Sequence, residues 1–318
     1  MGKNLVVVRR SGAMMVTVGG GGRMCGWSVR AGCVAGRRRV GGSGGVRAAV
    51  GMRVEGREGE VLIEVKGVKK RFGKNQVLDG IDMVVRRGEA VGVIGPSGTG
   101  KSTVLRILSG LMAPDEGEVV VRGKVRQGLV SDDPNPQLRI GMVFQNAALF
   151  DSLSVGENVG FMLYENSRMS DEGIDAVVRE SLRCVGLDAS VAAQFPSELS
   201  GGQRKRVAFA RAIIADPSAQ GDTEEVVMYD EPTAGLDPIA STVIEDQMRD
   251  LYRSTNISSY VVVTHQHSTI RRACDRLVFL NGGRVVWEGT SEEFETTDNP
   301  MVRQFCRGEI DGPIQNYA

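Results

Sequence analysis

The chain has 318 residues, room for one large or two medium domains. Hydrophobic residues make up 41%, an ordinary globular share. No run nears the roughly 18 to 20 apolar residues that span a bilayer, so any role at a membrane is expected to go through a partner.

The zero net charge hides an asymmetry. Residues 1–54 hold Lys3 and nine arginines before the first acid, Glu55, which leaves 29 basic against 39 acidic residues downstream. An acidic body argues against nucleic acid as a partner. The leading stretch is Arg-rich, carries Gly and Ala, and lacks acid, the composition of an organelle-targeting segment. A basic tail that stays attached and touches anionic lipid or nucleic acid is the alternative. No separate apolar region suggests secretion. Met1-Gly2 hints at myristoylation, but Val6 stands where Ser or Thr is needed. Cys25, Cys33, Cys184, Cys274 and Cys306 are odd in number, scattered and free of CxxC spacing. They are expected as reduced thiols. Only His265 and His267 could join them at zinc, so no zinc site is expected.

From Glu60 the pattern changes. Val61–Val65 and Val77–Val85 predict strands. Phe72 lies between them, and its ring can stack on a base or simply pack at a strand end. Ala90-Val91-Gly92-Val93-Ile94 predicts a buried strand, and Thr103 to Leu108 the start of a helix. Between them runs Gly95-Pro96-Ser97-Gly98-Thr99-Gly100-Lys101-Ser102-Thr103, which fits G-x-x-x-x-G-K-[ST] in the strand–loop–helix setting that pattern requires. A chain with 42 glycines can meet the pattern by chance; the setting argues against that. Gly95, Gly98 and Gly100 let the loop wrap with its N–H groups inward, a nest for phosphate oxygens at a helix N-terminus. Lys101 adds a point charge for the β- and γ-phosphates of ATP, and Ser102 offers a hydroxyl to Mg²⁺.

Further on, Val119–Val121 and Ile140–Phe144 predict strands, the second leading into Gln145. Ser131–Pro136 predicts a surface loop. Helical periodicity dominates from Ser154 to about Ser197, with an amphipathic helix over Asp175–Leu182 that stops at Gly186-Leu187. Leu199-Ser200-Gly201-Gly202-Gln203 opens another helix reaching Ile213. Val226–Tyr229 predicts a strand ending on Asp230 and Glu231, and Val261–Thr264 one ending on His265. Leu277–Leu280 and Arg284–Trp287 predict a hairpin around Asn281-Gly282-Gly283. The tail from Ser291 is polar with a helical middle, and no internal repeat is visible.

Phosphoanhydride hydrolysis needs a phosphate cradle, a metal, a positioned water and a sensor of the γ-phosphate. Asp230 is the candidate to hold Mg²⁺, and Glu231 to polarise the attacking water. Gln145 can touch both Mg²⁺ and water, and His265 can bond the γ-phosphate. Alone, Gln145 and His265 read equally as ordinary strand-end polar residues.

The order of phosphate loop, Gln145, Ser200-Gly201-Gly202-Gln203, Asp230-Glu231 and His265 resembles an ABC-transporter nucleotide-binding domain over roughly residues 61–310. The resemblance implies an α/β fold: a P-loop (RecA-like) core with an antiparallel β subdomain and an α-helical insert. The expected organisation is a targeting or disordered segment at 1–58, the ATPase domain at 59–290 with its insert near 147–205, and an extension at 291–318. It further implies a homodimer in which two cassettes meet head to tail. Ser200, Gly201, Gly202 and Gln203 of one would cap the ATP held by the other, and a helix N-terminus there favours the γ-phosphate charge. Ala234-Gly235-Leu236-Asp237 resembles the loop that crosses that interface. Phe72 matches the adenine-stacking aromatic, where Tyr is commoner. Asn146 to Tyr164 matches the surface that docks on the permease.

A narrower resemblance rests on Arg204-Lys205-Arg206-Val207-Ala208, on Thr233 to Ser241, and on the tail Val302 to Pro313. These are similar to the Mla-type phospholipid-transport ATPases, and among them to the plastid trigalactosyldiacylglycerol lipid-import type. That group implies a membrane permease and a lipid-binding, membrane-anchored subunit as partners. It also implies a peripheral place on the stromal side of the chloroplast inner envelope. The leader is poor in serine for a plant transit peptide, which leaves the mitochondrion open. An amino-acid or other small-solute importer is the rival cargo reading. A silent adaptor is the rival class, against which both Glu231 and His265 stand.

Overall fold

The computed structural model describes residues 5–10, 13–18, 59–129, 138–215, 224–255 and 257–314. The chain divides into two compact units, Met1–Gly51 and Met52–Ala318. In the first, β1 (Leu5–Arg10) and β2 (Ala13–Val18) form an antiparallel hairpin that pairs Leu5 with Val18 and Arg10 with Ala13. The sequence reading placed no element there. The Val6-Val7-Val8 run carries enough β-branched character to pair locally. The rest of the expected targeting segment, and the loop at Ser131–Pro136, lie outside the described residues.

In the second unit, β3 (Val61–Phe72), β4 (Asn75–Arg86), β6 (Glu116–Val121) and β7 (Lys124–Val125) form an antiparallel sheet in the order β4-β3-β6-β7. β3 runs well past the expected Val65. Register shifts between Val65 and Val68 break its alternation, and Gly67 takes a φ of 56° there. The second sheet holds β5 (Ala90–Ile94), β8 (Leu138–Val143), β9 (Glu224–Asp230), β10 (Ile257–Val263), β11 (Arg276–Asn281) and β12 (Arg284–Thr290). Its order is β12-β11-β5-β10-β9-β8, parallel except for the edge strand β12.

Continuous apolar runs make these parallel strands, because both faces are covered. Val91, Val93, Met228, Val261 and Val263 face a core shared with the antiparallel sheet and α1 (Lys101–Leu108). Ala90, Ile94, Val227, Tyr229, Tyr260 and Val262 face the other core. That core is shared with α2 (Val155–Asn166), α3 (Asp171–Cys184), α4 (Gly201–Ile213), α5 (Pro238–Ser254) and α6 (His267–Ala273). An edge-to-face chain of rings, Phe209 to Tyr229 to Tyr260 to Tyr252, runs through it at centroid spacings of 5.0, 5.7 and 5.4 Å.

Local signals start the helices. Ser154 with Glu157, and Ser200 with Gln203, form reciprocal caps on α2 and α4. Asp237 caps α5, with Pro238 at its first position. The far end of α4 is seated on β8: a Cβ on Gly141 would lie 2.8 Å from the Ala212 carbonyl oxygen, and Arg139 donates to the Ala212 and Ile214 carbonyls. The extension forms α7 (Ser291–Thr296) and α8 (Pro300–Arg307), as the helical middle predicts. Among the described residues no helix is long and apolar enough to cross a membrane.

Candidate nucleotide-binding site

The expected site residues gather at the carboxyl ends of the parallel strands, where α/β sheets place ligands. β5 delivers the phosphate loop. Gly95, Gly98 and Gly100 take φ values of 140°, 77° and 95°, which only glycine reaches without strain. Two of them also leave no room for a side chain. A Cβ on Gly95 would lie 2.2 Å from the Leu280 carbonyl oxygen, and one on Gly100 2.6 Å from Leu78 Cδ2. Thr99 Oγ1 donates to the Pro96 carbonyl at 2.8 Å and braces the loop. Lys101 Nζ folds over it, donating to the Gly95 and Pro96 carbonyls at 2.9 and 2.7 Å. Burial holds the Lys101 ammonium below its usual range, against the pull of Glu231 and Asp230. α1 begins at Lys101, two residues before the expected start, with Ser102 and Thr103 in its first turn.

Asp230 is the last residue of β9, as expected. Ser102 Oγ donates to its Oδ1 at 2.8 Å. Burial raises the Asp230 carboxyl above the ordinary carboxylate range, against the Ser102 hydrogen bond and nearby Arg106. A buried carboxylate beside a hydroxyl is a donor set suited to a hard cation. Among the described residues no group of three or more His, Cys, Asp or Glu could cage a metal. Mg²⁺ needs no such cage, since it is bound by one or two carboxylates plus substrate phosphates.

Glu231 is turned out of the strand line by a φ of 45°. Its N–H donates to the Val263 carbonyl at 3.0 Å, and its own carbonyl accepts from Ala234 N–H at 3.1 Å. The turn aims the carboxylate at two partners. Gln145 Nε2 donates to Glu231 Oε2 at 3.2 Å, and His265 Nδ1 lies 3.1 Å from Oε1. Gln145 and His265 each sit two residues past their strands, β8 and β10, and not on the last strand residue as the sequence suggests. Those extra residues let both side chains reach back to Glu231.

The structure does not join everything. Ser200–Gln203 caps α4 by itself: Ser200 Oγ accepts from Gln203 N–H at 3.2 Å, and Gln203 Oε1 accepts from Ser200 N–H at 2.9 Å. No hydrogen bond links this turn to the phosphate loop among the described residues. A Cβ on Gly202 would have no atom within 4 Å, and one on Gly201 would only touch Leu236 at 3.4 Å. Phe72 ends β3 with 47% of its surface exposed, and Lys70 Nζ lies 5.9 Å from the ring centroid.

Two residues were not singled out from sequence. Lys205 Nζ donates to the Gln145 carbonyl, and burial lowers its ammonium pKa against the pull of Glu231 and Asp230. Arg211 donates to the Ala148 and Ala147 carbonyls at 2.7 and 2.8 Å. It thereby holds two residues whose φ values are 48° and 61°. The signal for Lys205 was present: Lys205, Ala208, Phe209 and Ala212 all fall on the buried face of α4, so this lysine occupies an apolar position.

Strand ends arranged in this way make the chain, by class, a P-loop nucleotide hydrolase. A family profile described as ABC transporter matches residues 78–234. The Arabidopsis thaliana protein TRIGALACTOSYLDIACYLGLYCEROL 3, chloroplastic, is 56% identical over 81% of this chain and 77% of that protein. The intermembrane phospholipid transport system ATP-binding protein MlaF of Haemophilus influenzae is 35% identical over 80% of this chain and 93% of that protein. A solved structure, the dimeric post-hydrolysis state of the ATP-binding cassette MJ0796 bound to ADP and Pi, matches with a TM-score of 0.61 and 31% identity, covering 72% of this chain and 99% of that one. The chain belongs to the ABC transporter family, as an ATPase that binds ATP with Mg²⁺.

Proposed function

We propose that the protein is the ATP-hydrolysing subunit of a transporter that moves phospholipid, working in lipid import at the chloroplast inner envelope from the stromal side. The observation that carries the cargo and compartment is the 56% identity to a chloroplast protein whose name is a lipid, with a phospholipid-transport ATPase matched at 35%. The ATPase domain occupies 59–290, with the extension at 291–318 and a plastid-targeting leader at 1–58.

The site residues take these roles. Gly95 to Thr103 cradle the phosphates, with Lys101 freed from the Gly95 and Pro96 carbonyls to meet the β- and γ-oxygens. Ser102 and Asp230, already 2.8 Å apart, hold Mg²⁺ with Gln145. The bound ion neutralises the phosphate charge that builds up during transfer. Glu231 accepts the proton of the attacking water, and its left-handed backbone aims the carboxylate there. His265 Nδ1 is anchored by Glu231, which leaves the other face of the ring for the γ-phosphate. Phe72, exposed and beside Lys70, stacks on adenine.

Gly202 carries no side chain although this chain would leave room for one. That openness supports close approach by a second copy, whose ATP the Ser200–Gln203 turn would cap. A polytopic permease and a lipid-binding, membrane-anchored subunit complete the assembly. Glu231→Gln tests the whole reading. In the presence of Mg-ATP it should bind nucleotide, fail to hydrolyse it, and purify from solubilised plastid envelope as a dimer with a permease and phospholipid. Recovery with a soluble amino-acid-binding subunit would sink the cargo, and undiminished turnover would remove Glu231 as the base.

A further inference from the structure

Among the described residues the side-chain hydrogen bonds of Glu231 and His265 run to each other and to Gln145, and besides the Glu231 N–H bond to the Val263 carbonyl a second support lies beneath them. Both leave the sheet in short turns. Glu231 leads into Pro232 and Thr233. His265 is flanked by Thr264 and Gln266. Under these turns sits Glu245, a carboxylate with no solvent exposure. It lies on the inward stripe of α5, formed by Ser241, Ile244, Glu245, Met248 and Leu251. A buried carboxylate is costly, and the stripe would accept an apolar residue at less cost.

Its partners show what the acid does there. Glu245 Oε1 accepts hydrogen bonds from Ser268 Oγ and Thr269 Oγ1, both at 2.8 Å. Arg272 Nε lies 3.2 Å from Oε2. Thr269, also without exposure, has its Oγ1 3.3 Å from Thr233 Oγ1. A hydroxyl has one proton. Thr269 commits its proton to Glu245, so Thr233 donates to Thr269. The same turn is tied a second time by Gln266, whose Nε2 donates to the Thr233 carbonyl at 3.5 Å and whose N–H donates to Thr264 Oγ1 at 3.0 Å.

We propose that Glu245 is a positioning residue for hydrolysis: through Thr269 and Thr233 it locks α6, the helix that follows His265, to the turn after Glu231. The proposal rests on the roles given to Glu231 and His265 above. The carboxylate orders the donors, so the chain Thr233 to Thr269 to Glu245 has one direction and one geometry. Loss of that order lets the Glu231–His265 pair drift relative to the phosphate loop. It leaves the loop, which binds nucleotide, untouched.

The experiment compares two substitutions at one buried site in the full-length protein with its membrane partners. Thr269→Val keeps the shape and removes the hydroxyl. Thr269→Ser keeps the hydroxyl and removes a methyl. The expected result is that Thr269→Val lowers kcat roughly tenfold per ATP-binding site, with KM for ATP within about twofold, the split of a positioning defect. Thr269→Ser should stay near the parent in kcat even though it melts at a lower temperature. Glu245→Gln keeps one acceptor oxygen and is expected to lie between the two. Equal losses in the Val and Ser variants would mean that packing alone matters, and parental kcat in Thr269→Val would overturn the proposal directly. Glu231→Gln is run alongside: if it still hydrolyses ATP, the role of Glu231 has failed; if it is inert while Thr269→Val is normal, only the role of Glu245 has.

Discussion

Glu225, the second residue of β9, carries a stability cost that one substitution should expose. Only 7% of the residue is accessible, and Oε1 has no hydrogen-bond partner. Burial pushes its carboxyl from the ordinary 4.5 up to about 7. Arg139 Nε, 3.7 Å away, pulls the other way and loses, because that distance is long for an ion pair. An acid whose folded pKa is raised holds its proton in the folded chain after the unfolded chain has released it. Stability therefore falls as pH climbs through that window, and the cost is complete above about 7 and absent well below 4.5. At about 1.4 kcal/mol per pH unit over roughly 2.5 units, the ceiling is about 3–4 kcal/mol. Glu225→Gln keeps the shape without the charge, and Arg139 retains the Ala212 and Ile214 carbonyls. The variant should melt slightly later than the parent at pH 5, where the unfolded acid is already largely ionised, and later by a wider margin at pH 8. The gain is at most roughly 7–14 °C, given about 2–4 °C per kcal/mol for a domain of this size. Thermal melts of both proteins from pH 5 to 9 measure it. A gap that does not change with pH, or one favouring the parent at high pH, refutes the reasoning.

Two further outcomes follow from the site. Lys205→Met removes the donor from the Gln145 carbonyl, a loss of about 1–3 kcal/mol, offset in part by no longer burying an ammonium. Melting should therefore move little while kcat drops roughly tenfold through a misplaced Gln145; a parental kcat in steady-state assays would show the contact to be idle. The Cβ of Gly202→Leu would meet no atom within 4 Å, and the substitution gains up to about 1 kcal/mol of helix propensity. It should melt no lower than the parent yet fail to dimerise with Mg-ATP in light scattering, and an intact nucleotide-driven dimer would place the contact elsewhere.

What could be read from sequence was what is local. The phosphate loop, the Asp230-Glu231 strand end and the Ser200–Gln203 cap are each written in a few adjacent residues, and each stands where it was expected. β3 was cut short because the polar run from Lys66 to Lys70 crosses bulges that hide its alternation. The β1–β2 hairpin was hidden by an arginine- and glycine-rich composition that spoke for a leader and not for pairing. Lys205 and Glu245 were missed for one reason. Both are charged residues on the buried stripe of a helix, and their partners lie 60 and 24 residues away in sequence. A polar residue in an apolar period is the trace such contacts leave, and it identifies the residue without naming its partner.

The seating of α4 on β8 has a mechanical result. Gly141 and Arg139 fasten the helix at its Ala212 end, while Ser200 at the other is exposed and hydrogen-bonds within its own cap. Thirteen residues make a rod about 20 Å long. Tilted ten degrees about its fixed base, such a rod sweeps its tip by roughly 3 Å, about one hydrogen-bond length. Lys205 and Arg211 ride on the same rod and grip the carbonyls of Gln145, Ala147 and Ala148, so that loop and the tip belong to one mechanical lever.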